Sequence, residues 1–180
     1  MPIRFPQPPP EAATGTDPVP VPPQPVFTVG LDELLAAESG REAAETASEP
    51  PTWRRSRFAA DGRAEASEVR GEAEADAFAT GNDRFSPMIR EALAVASEDS
   101  RTAGPDYEAR LYRVPALSLL ALWLHTGDTS DLFVPLGRPV GDLEPNRVYD
   151  DGEFMAGARA AAERISAHYD EADETDELGS

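Results

Sequence analysis

Leu111–Leu136, LYRVPALSLLALWLHTGDTSDLFVPL, limits what this chain can fold into more than any other stretch. It is the one long run with enough large apolar residues to start a core. Two readings compete over it. As strands, Ala109–Val114 and Leu117–His125 lead through the five residues Thr126–Ser130 into Asp131–Leu136. A connection of that length containing a glycine suits a hairpin. As a helix, Ala116–His125 starts after Pro115 and stops at Gly127. Leucine content favours the helix, whereas the valines and aromatics of the flanks, with Pro115 and Pro135 near strand ends, favour the sheet. The hairpin is the preferred reading.

Behind it, Asn146–Tyr169 carries the clearest helical pattern. Asp150 or Asp151 caps it, and Phe154, Ala158, Ala161, Ala162, Ile165 and Tyr169 follow helical spacing. The expected fold class is therefore α+β. Residues 107–169 form a small C-terminal unit of two to three antiparallel strands packed on one C-terminal helix, and 170–180 form an acidic tail. A unit of this size is only marginally stabilised by its own core. It calls for a partner surface or a second copy of itself, because the chain has no cysteine to supply a disulfide or a zinc–thiolate staple.

The preceding 84 residues read as a mostly disordered arm rich in proline, alanine and glutamate. Ten of the 18 prolines fall within the first 25 positions, where polyproline II is expected and the PxxP spacings read as a spacer. Within the arm, residues 30–37 form a short amphipathic motif in which Leu31, Leu34 and Leu35 recur at helical spacing. Such a motif is either a chance helical turn in a disordered arm or an anchor that folds against a partner or against the C-terminal unit. Ser39–Thr80 holds few residues to bury, so disorder is the expectation. Trp53–Phe58 places arginines between two aromatics, a pattern able to stack on bases. In an acidic chain the simpler expectation is pairing with its own carboxylates. Residues 85–100 then form a docking helix, with Ser86 as N-cap, Pro87 in the first turn and a face of Met88, Ile89, Ala92, Leu93 and Ala96.

Net charge is −18, and all 16 basic residues are arginine. An acidic excess of this kind repels nucleic acid and anionic membrane, so neither is an expected partner. The start shows no secretory pattern, and no run reaches the roughly 18–20 apolar residues of a membrane span. A cytoplasmic protein, from a GC-rich bacterial genome, is expected.

Candidate chemistry is thin. His125, Asp128, Ser130 and Asp131 lie in one short HTGDTSD segment, where they suit a turn better than an aligned triad. The acids at 150–153 and 170–177 do not match a calcium loop, His125 and His168 are the only histidines, and no phosphate-loop, dinucleotide or GxSxG motif occurs. No catalytic residue, cofactor or metal is therefore expected. The expectation is a non-enzymatic protein-binding or assembly (accessory) protein docking on a larger protein partner. One hairpin face, left uncovered, would present Trp123 and Phe133, residues that otherwise serve as core anchors. Leu31, Leu34 and Leu35 would add a second contact. The alternative is an enzyme or enzyme subunit using His125 or carboxylates in a shared cleft. Arg110, Arg113 and Arg138 fall in or beside the core stretch, as cations for a partner's acids or the chain's own.

Overall fold

A computed structural model describes residues 3–5, 24–58, 64–70, 78–82, 85–103, 105–128 and 130–177. Its strands are β1 (Gln24–Thr28), β2 (Thr52–Phe58), β3 (Ala64–Arg70), β4 (Phe78–Asn82), β5 (Glu108–Val114), β6 (Leu119–His125), β7 (Leu132–Pro135) and β8 (Tyr149–Asp150). Its helices are α1 (Leu31–Ala36), α2 (Gly40–Glu45), α3 (Phe85–Glu98) and α4 (Asp151–Glu177). The strands form one eight-stranded sheet in the order β4-β3-β2-β1-β5-β6-β7-β8. All pairs are antiparallel except β1 with β5, which run parallel with Val26 opposite Leu111 and Thr28 opposite Arg113. Ile3–Phe5 lies along the start of β5: Arg4 N donates to Tyr107 O and Ala109 N donates to Arg4 O, both at 2.7 Å. Pro25 precedes the first β1–β5 pair, so its missing amide removes no bond from that ladder.

Mixed α+β character is as expected, and so are strands β5, β6 and β7, with the expected hairpin formed by β6 and β7. The extent differs. Those strands belong to a sheet of eight rather than two or three. Both faces of β5, β6 and β7 are apolar, so both must be covered. On one face Tyr112, Val114, Ala121, Trp123 and Phe133 pack with Phe154, Met155 and Ala158 of α4 and Leu34 of α1. On the other, Leu111, Leu122, Leu124, Leu132 and Val134 pack with Ile89, Ala92 and Ala96 of α3. The uncovered hairpin face therefore does not exist. Residues 85–100 supply its cover, and Trp123 and Phe133, both fully buried, are core anchors rather than a docking surface.

The aromatic centre fixes the α4 side. Phe133 stacks on Phe154 at 4.2 Å between centroids and on Trp123 at 6.0 Å, while Tyr112 meets Phe133 edge-on at 5.5 Å. Gly40 lets α2 approach this group, since a Cβ there would stand 2.7 Å from Phe133 Cζ. Burial raises the Tyr112 hydroxyl's pKa well above that of an ordinary phenol.

The arm is also more ordered than its composition implies. Residues 24–58 contain two strands and two short helices, and residues 64–70 and 78–82 add two more strands. Helices this short are marginal alone, and local caps together with a long-range bond tie them down. Glu33 Oε2 accepts from Gly30 N at 2.7 Å, and its Oε1 accepts from Ser48 N at 2.6 Å. Ser39 Oγ accepts from Glu42 N at 3.0 Å, and Asp151 Oδ1, 111 residues away, accepts from Gly40 N at 2.7 Å. In β2 and β3 the register sets Arg54 opposite Glu68 and Arg57 opposite Glu65. Helix α3 begins at Phe85, two residues before Pro87, the expected first helical position, and Ser86 is buried within it instead of capping. Helix α4 runs on to Glu177 through most of the segment expected to be a tail, as alanine and glutamate favour. Apart from Ile3–Phe5 and Gln24–Val26, the proline-rich segment lies outside the described residues. Among the described residues no helix is long and apolar enough to cross a membrane.

Phe133→Ala removes a ring enclosed by three other aromatics. It should lower unfolding free energy by about 3–5 kcal/mol, the usual range for a buried phenylalanine. Urea denaturation followed by tryptophan fluorescence measures it, and a loss below about 1 kcal/mol, typical of surface positions, would contradict this packing.

Candidate functional site

The residues singled out in the sequence meet one another, not solvent. Leu34, Trp123 and Phe133 lie in a single core with Leu31 packed at its margin. Leu35 alone of the leucine motif remains outside, 36% exposed. His125 and its neighbours form a staple around Asp131, which is buried. Its Oδ2 accepts from Trp123 Nε1 at 2.8 Å and from Arg41 Nε at 3.0 Å, and stands 3.1 Å from His125 Nδ1. Its Oδ1 accepts from Arg41 Nη2 at 2.6 Å and from Thr126 N at 2.9 Å. Arg41 Nη2 also donates to the Thr126 carbonyl at 2.9 Å and to that of Asp128. Burial pushes the Asp131 carboxyl up, but the bonds from Arg41, Thr126, His125 and Trp123 outweigh it and hold the group below the usual carboxylate range. Asp151 goes the other way, raised by burial despite its bond from Gly40.

This cluster does not assemble a triad. Asp131 is engaged by donors from α2, β6 and the β6–β7 turn, while Ser130 N donates to Asp128 Oδ1 at 2.8 Å and its carbonyl accepts from the Tyr107 hydroxyl at 3.1 Å. Those bonds make a turn, as the residue types imply. Arg41 is the part that sequence does not reveal, because it reaches Asp131 across 90 positions from a segment with no pattern marking it. Among the described residues no group of three or more histidine, aspartate or glutamate side chains is placed to hold a metal ion.

The opposite face holds the stronger candidate. Between the first turn of α3 and the sheet lies a cavity of about 650 Å³, within the span of roughly 300–1,000 Å³ common for ligand sites. Its floor is apolar. Val26 and Leu111 come from the parallel pair β1–β5, Leu119 and Leu120 from β6, and Phe85 and Met88 from α3. Three arginines complete the wall, and the described lining includes no carboxylate. Arg54, 4% exposed, donates from Nη2 to Ser86 Oγ at 3.3 Å. Arg113 donates to Thr28 Oγ1 through Nε at 3.2 Å and Nη2 at 2.9 Å. Arg138 is exposed and follows Gly137, whose φ of +80° is the left-handed turn that carries the chain out of β7. Beyond Arg138 a smaller recess of about 350 Å³ continues past Pro139 to Arg164 and Ile165.

Two strand positions explain the chemistry of that wall. Side chains two apart share a face, so Leu111 and Arg113 both point to the α3 side, as do Val26 and Gln24. Gln24 stands opposite Arg54, is fully buried, and among the described residues neither its Oε1 nor its Nε2 has a hydrogen-bond partner. In sequence Arg113 and Arg138 stand out as cations beside the core. Their convergence with Arg54 depends on the β1–β5 pairing and is not legible there. No protein-family model matches this chain, and neither a curated protein nor a solved structure is detectably similar to it.

The lowered Asp131 carboxyl sets a pH dependence. Its contribution is fully present above the unfolded value, about 3.9, and is lost as pH falls through the lower folded value. Wild-type stability should therefore drop steeply below about pH 4, and Asp131→Asn, less stable at neutral pH, should drop less steeply there. Thermal melts across the acid range measure both slopes, and equal slopes would remove Asp131 from the acid transition.

Proposed function

We propose that this chain is a non-enzymatic binding protein that holds a small molecule in the cavity under α3. The observation carrying this reading is the union, in one recess, of an apolar floor with three guanidinium groups. Guanidinium stays protonated throughout the physiological range, so it holds an anion but neither takes up nor gives a proton in a catalytic step. The one hydroxyl among the described lining residues is Ser118, which sits at a turn with φ of 51°. Apolar surface with a few placed polar groups is how proteins select small ligands without transforming them.

A neutral apolar dye tests the site apart from its charge. N-phenyl-1-naphthylamine should bind one per chain with enhanced emission. Met88→Trp, which fills the cavity from α3, should weaken binding at least tenfold while leaving the melting temperature within a few degrees. Equal dye binding by both proteins would remove the cavity from the function.

One observation supports a second reading, in which the chain docks on a larger protein partner. Leu35 is the one exposed large hydrophobic side chain among the described residues, and it neighbours half-buried Leu31 on α1. On this reading Leu35→Asp abolishes capture of a protein that the wild-type chain retains, with the fold intact. Unchanged capture would dismiss α1 as the contact.

A further inference from the structure

We propose that the edge of β5 at Tyr107–Ala109 is a strand-addition seat through which two copies of this chain join, each laying its Ile3–Phe5 along the β5 of the other. The single chain seats its own Ile3–Phe5 there and so displays the contacts that the exchange reuses. The inference stands apart from the cavity under α3.

The seat is the first argument. One edge of β5 pairs with β6 along its whole length, from Glu108 with His125 to Val114 with Leu119. The other edge is shared end to end: β1 takes residues 111–113, and Arg4 bridges to Glu108, also in parallel. Arg4 N donates to Tyr107 O and Ala109 N donates to Arg4 O, both at 2.7 Å. Main-chain bonds of this kind give an added strand its affinity, and alternate side chains give it specificity. Here Ile3 and Phe5, both half-buried, pack against the core that contains Tyr107, Ala109 and Ile89, while exposed Arg4 pairs with Asp106. The seat therefore reads an apolar–basic–apolar tripeptide. Two main-chain bonds and two half-buried side chains are a light hold, and a strand held so lightly exchanges.

The linker is the second argument, and it selects a second copy. The contacts of the seat are the same whichever chain supplies the strand, so the connection from Phe5 to Gln24 decides between them. Within one chain that connection must close a short gap. Glu108, opposite Arg4, and Leu111, opposite Val26, are three residues apart on β5, about 10 Å. The 18 residues between Phe5 and Gln24 include eight prolines and one glycine. By composition they are a stiff spacer, with a reach of about 55 Å when extended. A linker far longer than its span gives little effective concentration, and a stiff one resists folding back. The same linker carries the strand readily to a neighbouring molecule. Charge agrees. The first ten residues hold one arginine and no acid, whereas the rest of the chain holds 15 arginines and 34 acids. A basic arm laid on an acidic body offsets part of the repulsion between copies.

Light scattering on the full chain, coupled to size-exclusion chromatography, tests the exchange. The wild type should run at twice the chain mass when concentrated and at the chain mass when diluted. Arg4→Pro removes the amide that donates to Tyr107 O, at an exposed position. It should weaken the dimer at least tenfold while leaving the melting temperature within a few degrees, and Ile3→Asp/Phe5→Asp should do the same. Because the chain has no cysteine, single thiols report which chain fills the seat. A mixture of Arg4→Cys and Glu108→Cys chains should oxidise to a mixed disulfide dimer in excess over either homodimer. A wild type of single-chain mass at every concentration would overturn the proposal. So would a dimer that both arm variants leave intact, since another surface would then hold it. An Arg4→Cys/Glu108→Cys chain that closes on itself, with no mixed dimer from the single variants, would overturn it as well by showing the strand seated only in its own chain.

Discussion

The parallel pairing of β1 with β5 is the bond on which the rest of the molecule depends. On one side of it stand β2, β3 and β4, each paired with its neighbour in sequence. On the other stand β5 to β8, also joined as sequential antiparallel neighbours. Only three residue pairs, Val26 with Leu111, Phe27 with Tyr112 and Thr28 with Arg113, splice the two runs into one sheet. A parallel neighbour cannot be reached by a tight turn. The intervening chain accordingly holds α1, α2, three strands and α3. Those helices then close the two faces that β5, β6 and β7 expose. Without the splice, α1 would lose its seat over Trp123 and the cavity would lose Val26 and Arg54.

How much of this was legible follows the range of each interaction. Strands β5, β6 and β7, the β6–β7 hairpin and α3 rest on patterns within a few residues, and the sequence shows them at nearly their observed bounds, whereas α4 runs well past its expected end at Tyr169, to Glu177. The order of residues 24–58 rests on partners far along the chain, such as Asp151 for Gly40 and Asp131 for Arg41. Low apolar content there reads as disorder because each piece buries few large apolar side chains, Val26 and Leu34 among them. The pieces become worth ordering only against a surface that composition does not display. The expectation of an uncovered hairpin face has the same physical origin. Trp123 and Phe133, which the sequence offers as core anchors or as an exposed contact, are core, packed with the chain's own Leu34 and Phe154. A leucine motif and an aromatic pair, read as two separate contacts for another molecule, satisfy each other.

The two faces of the sheet carry different kinds of polar chemistry. On the α4 side, Asp131 gathers donors from three elements and is held ionised while buried, which is expensive unless every lone pair is used. The donors leave it no reactive freedom, and the cluster locks the β6–β7 turn to α2. On the α3 side Arg54, Arg113 and Arg138 line a cavity with an apolar floor. Close-packed interiors leave few voids larger than a water molecule, so a recess of about 650 Å³ between a helix and a sheet sets this face apart.

The splice also dictates an order of assembly. During synthesis β1 emerges before α3 and well before β5, the strand it must lie along. At the usual rate of about 5–20 residues per second, the N-terminal half waits several seconds for Leu111 to leave the ribosome. Throughout that interval Val26, Phe27 and Leu34 have no lasting place to go. The dense negative charge of the same segment, and its scarcity of large apolar side chains, then acquire a use that the finished molecule does not show. They keep nascent chains apart until the hairpin arrives to receive them.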